Sequence, residues 1–342
     1  MSERRPIFQP NELSDAMVVS MRTRIITAII AIIFALPIVL VGDWAFFALV
    51  SLLLVCAVVE IVRCAKRKYS KALYIVSFIL AFLILLWNIL GDLPLSSSWR
   101  LFDSYNHIYV SITILFIGLC LAIFTVLIDK NFTIIDACFI VTTVMTISLG
   151  FESGLFLRYL PSFVYHHPLN GVPPDVSYFN FYDNLESCLL VVYVLVGACL
   201  NDAFAYFVGV FFGRNKLNER ISPKKTWEGF FGGVILTAIF LCAFAFILAS
   251  VDSGKHALLP GILDLEHWYH IVVVSCLIPL VSTLGDLVFS SIKRYYGIKD
   301  FSNVLPGHGG VLDRFDSILF STTTVAIYIS IFLHTGGGVL LP

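Results

Sequence analysis

Near its C-terminal end the chain carries LPGHGGVLDRFDS, residues 305–317, in which two aspartates three residues apart follow three glycines. Asp313 and Asp316, at i and i+3, share one face of a helix that begins there. Upstream, Asp286, Ser290 and then Lys293 or Arg294 also fall on one helix face, and Lys299 and Asp300 come next. Carboxylates without cysteine or additional histidine favour a hard cation such as Mg²⁺. Interleaved lysines and arginines favour phosphate oxygens. Together they are the equipment of phosphoryl or nucleotidyl transfer.

Two more polar stretches sit among apolar residues. In NDAFAYFVG, residues 201–209, Asp202 lies within an apolar run, with Tyr206 and Gly209 at i+4 and i+7. A carboxylate at that depth costs several kcal/mol unless it meets water, a partner or an ion; the plainer role is a helix–helix hydrogen bond. In SPKKTWEG, residues 222–229, Ser222-Pro223 has the form of an N-cap and first helical residue. That predicts a helix with Lys224 and Lys225 in its first turn, where the dipole disfavours cations. Lysines beside free backbone N–H groups suit a phosphate; the alternative is ordinary charge on an inner loop. The chain has no Walker A sequence, kinase glycine loop or dinucleotide fingerprint. Any nucleotide must therefore be held by helix ends and short loops, which leaves a lipid free to enter sideways.

The elements that must position these residues are apolar helices. The chain is 58% hydrophobic and 13% charged, with mean hydropathy +0.91, against about 25% charged for a soluble domain. Apolar runs near 25–42, 44–62, 72–90, 108–128, 133–150, 187–212, 229–250, 269–292 and 317–334 predict an all-α polytopic membrane protein of nine spans. With the N-terminus cytoplasmic and the C-terminus outside, all of the 22 lysines and arginines except Arg100, Arg158 and Lys255 fall on the inner side, as the positive-inside rule requires. His308 is then the one cytoplasmic histidine. Residues 151–186 form the longest outer loop, and the first run, lacking a cleavage site, is a retained span. The basic stretch 63–71 sets topology or attracts anionic lipid. The eight cysteines show no metal-ligand spacing and suit core positions. Residues 1–186 and 187–342 divide the chain into five N-terminal spans with their loop and a catalytic half.

Ser291-Ile292-Lys293-Arg294, Lys299-Asp300 and LPGHGGVLDRFDS together resemble the C-terminal motif of phosphatidate cytidylyltransferases, the CDP-diacylglycerol synthases. NDAFAYFVG, SPKKTWEG and Gly285-Asp286 resemble that family's other cytoplasmic motifs, in the same order. The likeness spans residues 195–320 in outline, and the apolar first half adds little. It implies that CTP and phosphatidic acid give CDP-diacylglycerol and pyrophosphate with Mg²⁺, and a second cation is compatible with the pattern. On this resemblance Asp286, Asp313 and Asp316 hold the metal. Lys224 and Lys225 bind phosphate oxygens, Lys293, Arg294, Lys299 and Arg314 neutralise phosphates, and Ser222, Ser290, Asn201 and Asp202 line the site. Gly307, Gly309 and Gly310 admit a phosphate to the backbone, and His308 either donates to it or braces the turn. The implied setting is a bacterial inner membrane rather than the endoplasmic reticulum, with the site facing the cytoplasm. The partners are CTP, phosphatidic acid and membrane lipid, with no nucleic acid and a homodimer left open. A CTP-dependent polyprenol kinase is the rival enzyme. An ion-coupled transporter is disfavoured by the lack of an internal repeat.

Overall fold

The computed structural model describes residues 15–64, 71–86, 118, 120, 126, 132–166, 181–251, 257–259, 262–307 and 309–335. The named elements, in order, are α1 (Asp15–Val41), α2 (Asp43–Cys64), α3 (Lys71–Leu85), α4 (Ile134–His166), α5 (Phe181–Phe212), β1 (Lys216–Asn218), β2 (Ser222–Thr226), α6 (Trp227–Ser250), α7 (Trp268–Tyr295) and α8 (Leu312–Thr335). Six of these helices contain stretches long and apolar enough to cross a bilayer, within α2 and α4 to α8. A helix satisfies its own backbone, which is what hydrocarbon demands, so this is an integral membrane protein. The expected run at 108–128 falls almost wholly outside the described residues.

Three expectations are corrected. First, residues 151–166 are not loop: α4 continues through them, and α5 begins at Phe181. Second, Arg158 is not a loop cation. It is 1% exposed, and its guanidinium donates to the carbonyls of Val39 (2.9 Å) and Leu40 (3.1 Å). These are end carbonyls of α1, where a cation complements both the orphan acceptors and the helix dipole. The α1–α2 turn is made at Gly42, with φ 75°, and a Cβ there would lie 2.5 Å from the Arg158 guanidinium. Glycine is thus required twice over, by dihedral and by space.

Third, Ser222 does not cap a helix. Residues 222–226 are a strand, paired antiparallel with β1 through Lys216 opposite Thr226 and Asn218 opposite Ser222. Asn218 Oδ1 closes the turn by accepting from the backbone N–H groups of Arg220 and Ile221, both at 3.1 Å. The cap of α6 is Thr226, whose hydroxyl accepts from Gly229 N at 3.1 Å. Thr226 supplies the extended backbone and oxygen a cap needs, and it does so four residues later than Ser222. Lys224 and Lys225 therefore extend along a hairpin at the end of the bundle.

Small residues set the closest helix contact. A Cβ on Gly233 would sit 2.8 Å from Ala205 Cβ, and one on Gly229 would sit 2.6 Å from the Ala205 carbonyl. Helices α5 and α6 thus pack nearly backbone to backbone, as small-xxx-small pairs allow. Helix α4 seats on α8 through Gly150 against Leu319, Phe151 against Phe315, and Thr322, whose hydroxyl donates to the Gly150 carbonyl at 2.9 Å. The buried core runs through Leu54, Val58 and Ile61 of α2, Val144 and Ile147 of α4, Val194 of α5, Ile278 of α7 and Val325 of α8.

Candidate active site

Three helices each bring one aspartate to the hairpin end of the bundle: Asp202 from α5, Asp286 from α7 and Asp316 from α8. The Asp286 charge acts on both Asp202 and Asp316, and that of Asp202 acts on Asp316, so the three form one like-charged group. Two lysines counter it. Lys225 of β2 is in direct contact with Asp286, both side chains about a quarter exposed, at 26% and 23%. The buried Lys293 places its ammonium 2.8 Å from Asp313 and 3.8 Å from Asp316. Ser290 donates to Asp286 at 3.1 Å. Ser317 donates through its hydroxyl to Asp202 at 3.4 Å and through its backbone to Asp316 at 2.8 Å. Asn201, adjacent to Asp202, is buried and donates to Thr283 Oγ1 at 2.9 Å, tying α5 to α7.

Asp313 was expected to join the metal ligands, but its oxygens are engaged elsewhere. Oδ1 accepts from Lys293, and Oδ2 accepts from the backbone N–H groups of Phe301 (2.8 Å) and Gly310 (2.9 Å). Its side chain is 4% exposed. Asp313 thus braces the loop and Lys293, and its Oδ1, which accepts one hydrogen bond here, keeps a lone pair that a cation could use.

The remaining expected residues are distributed around this centre. Arg294 spends its guanidinium on the Ile221 and Ile298 carbonyls, both at 3.2 Å, so it tethers the hairpin to the end of α7. Lys224, Lys299 and Arg314 are exposed and Ser222 is half-buried; the Arg314 charge acts on Asp202. Gly307 and Gly309 adopt positive φ, 74° and 89°, in a turn closed by paired Leu305–Gly309 backbone bonds at 2.9 and 3.1 Å. His308 lies outside the described residues. Tyr206 is exposed beside Phe207, and Gly209 packs on Thr226 and Gly229.

Glu60, not anticipated as a site residue, also belongs here. It reaches from α2 and holds Ser302, Val311 and Leu312. The signal that could have found it is the one that singled out Asp202: a lone carboxylate inside an apolar span.

Asp202, Asp286 and Asp316 offer oxygen donors only, which fits a hard divalent cation. The lysine ammonium groups against Asp286 and Asp316 already occupy the positive role in this group. Among the described residues no three His, Cys, Asp or Glu side chains are closed into a metal cage.

The fold defines a polytopic membrane protein with charged helix ends gathered at one end of the bundle. The sequence profile of the Cytidylyltransferase family matches residues 22–332, far beyond the C-terminal motifs. The chain is 31% identical to the phosphatidate cytidylyltransferase of Bacillus subtilis (strain 168) over 302 residues, 88% of this chain and 95% of the relative. It is 30% identical to that of Staphylococcus haemolyticus (strain JCSC1435) and 29% to that of Staphylococcus aureus (strain COL), each over 300 residues with the same coverage. The chain belongs to the cytidylyltransferase family and is a nucleotidyltransferase.

Proposed function

We propose that this protein transfers a cytidylyl group from CTP to phosphatidic acid, giving CDP-diacylglycerol and pyrophosphate, in a Mg²⁺-dependent reaction at the cytoplasmic face of a bacterial inner membrane. The observation that carries this is the convergence of Asp202, Asp286 and Asp316 with Lys225 and Lys293 at one end of three helices. Relatives covering nearly the whole chain bear the corresponding name.

A phosphatidate oxygen attacks the α-phosphorus of CTP. The bond from that phosphorus to the oxygen bridging to the β-phosphorus breaks, and pyrophosphate leaves with its electron pair. The nucleophile is already ionised, so the chain must position and neutralise rather than abstract a proton. Asp286 and Asp316, with Asp202, would hold Mg²⁺; Asp313 fixes the loop and Lys293 behind them. Mg²⁺, when bound, supplies charge neutralisation on the CTP phosphates. Lys225 shifts from Asp286 to a substrate phosphate when nucleotide and cation enter, and Lys224 on the same strand takes a second phosphate oxygen. Arg314 and Lys299 draw both anionic substrates toward the helix ends.

The nine-span topology is supported by which helix ends meet. Thr27, where the apolar stretch of α1 begins, and Glu60 near the end of α2 touch the same loop. Phe139 near the start of α4 meets Tyr296 at the end of α7. Helix α3 thus departs from the site's side and α4 starts on it, an arrangement that agrees with the span expected at 108–128. The positive-inside distribution supports assigning that side to the cytoplasm.

The test is purified protein with phosphatidic acid, Mg²⁺ and labelled CTP. The expected products are a CDP-lipid and pyrophosphate, with no turnover after chelation of the metal. Release of CDP with a phosphorylated lipid alcohol would point to a kinase instead, and no CDP-lipid would overturn the proposal.

A further inference from the structure

We propose that Glu60 is a positioning residue for nucleotidyl transfer, acting from the second helix to hold the loop and helix start that present the site carboxylates. The proposal rests on the reaction assigned above.

Glu60 is 3% exposed. Its Oε1 accepts from Ser302 Oγ at 2.6 Å and from Val311 N at 2.9 Å, and its Oε2 accepts from Leu312 N at 2.8 Å. Val311 and Leu312 are the entry to α8, whose first N–H groups have no intrahelical partner. A carboxylate there satisfies two of them and complements the helix dipole. A residue 251 positions earlier in the chain therefore caps the last helix.

The fit continues at Gly310, which is buried. A Cβ on it would lie 2.7 Å from each carboxylate oxygen of Glu60. Gly310, expected to open a path for phosphate, makes room for Glu60 on its Cβ side. Its own N–H donates to Asp313 Oδ2 at 2.9 Å, so Glu60 and Asp313 grip the turn from opposite sides. Thr27 of α1 adds a third hold, donating to the Pro306 carbonyl at 3.2 Å. Asp313 and Asp316 follow Leu312 by one and four residues, so their position relative to Asp286 and Asp202 depends on where Glu60 fixes the helix start. Supports of this kind act through the groups they orient.

The experiment compares wild type, Glu60→Gln, Glu60→Ala, Gly310→Ala and the Glu60→Ala/Gly310→Ala double variant in detergent, reading turnover per folded molecule and equilibrium CTP binding without lipid. A glutamine keeps the length, but its amide presents N–H groups to a backbone N–H. Its turnover per folded molecule is expected to fall about 10- to 100-fold, as for other residues that orient ligating carboxylates, and CTP binding to weaken. Gly310→Ala should match it, and should cost little more once Glu60 is alanine, because the clash partner is gone. A purely structural role would lower the folded fraction while leaving turnover per folded molecule unchanged. That result, or equal Gly310→Ala costs in both backgrounds, overturns the proposal. Wild type making no CDP-lipid would overturn the assigned reaction instead, and the CTP-binding arm would still read Glu60.

Discussion

Asp313 and Asp316 lie three residues apart on one helix face, yet their surroundings give them different work. Asp313 closes a buried pair with Lys293 and holds two amides. Breaking a buried pair from one side typically costs about 3–5 kcal/mol. Asp313→Asn should therefore lower the thermal midpoint as well as activity. Asp316 keeps Oδ2 free of all but a distant Lys293 contact at 3.8 Å and faces two like charges. Asp316→Asn should abolish turnover with the midpoint unchanged or raised, because it removes repulsion. Thermal unfolding and product formation on the two variants check this; equal destabilisation would refute the division. The sequence singled out Asp202, since a carboxylate in an apolar helix is costly enough to mark itself, and grouped Asp286 with Asp313 and Asp316 by their spacing. The use of Asp313 as a brace was not legible there, because both roles need the same residue type at the same place, and only the neighbouring amides tell them apart.

Among the elements, the hairpin and the α5–α6 contact place Lys225 and Asp202 against Asp286. Gly229 and Gly233 lie four apart on α6 and receive Ala205 and Gly209 of α5 at close range. A valine at 233 would collide with the α5 backbone at Ala205, 3.1 Å from the position of a Cβ. Overpacking of this kind costs about 1–3 kcal/mol, and it would move Asp202 out of register with α7. Gly233→Val should therefore lose both melting temperature and turnover, whereas Gly233→Ala should retain a measurable share of each; an unperturbed valine variant would exclude the close contact. The apolar runs forecast the described helices well because burial in hydrocarbon leaves little alternative to helix. The strand at 222–226 escaped notice because Ser222-Pro223 has the form of a helix start. The decision was made by Thr226, whose hydroxyl holds Gly229 N while the preceding residues pair with β1. Residues 151–166 were read as loop because the apolar run ends near residue 150 and Pro161 follows with three more prolines by residue 174. Buried against the α1 carbonyls, Arg158 lets α4 run on.

At the scale of the molecule, the proposed topology has a direct check. With an odd number of crossings and a cytoplasmic start, alkaline phosphatase fused after Pro342 should be active and a fluorescent protein at the same point dark. The opposite pattern would remove the ninth span or invert the orientation. Contacts cross the division at residue 186 in both directions. Thr27 and Glu60 from the first two helices grip the loop before α8, and α4 packs on α8 through Gly150. The family match across residues 22–332 agrees with that interlocking. The capping of α8 by Glu60 also bears on how the protein is made. The ribosome delivers Glu60 early and its partners, Val311 and Leu312, near the end. Asp202 and the hairpin lysines are likewise translated before the loop that Glu60 holds. The loop and helix start that Glu60 holds are therefore the last of these groups to be translated.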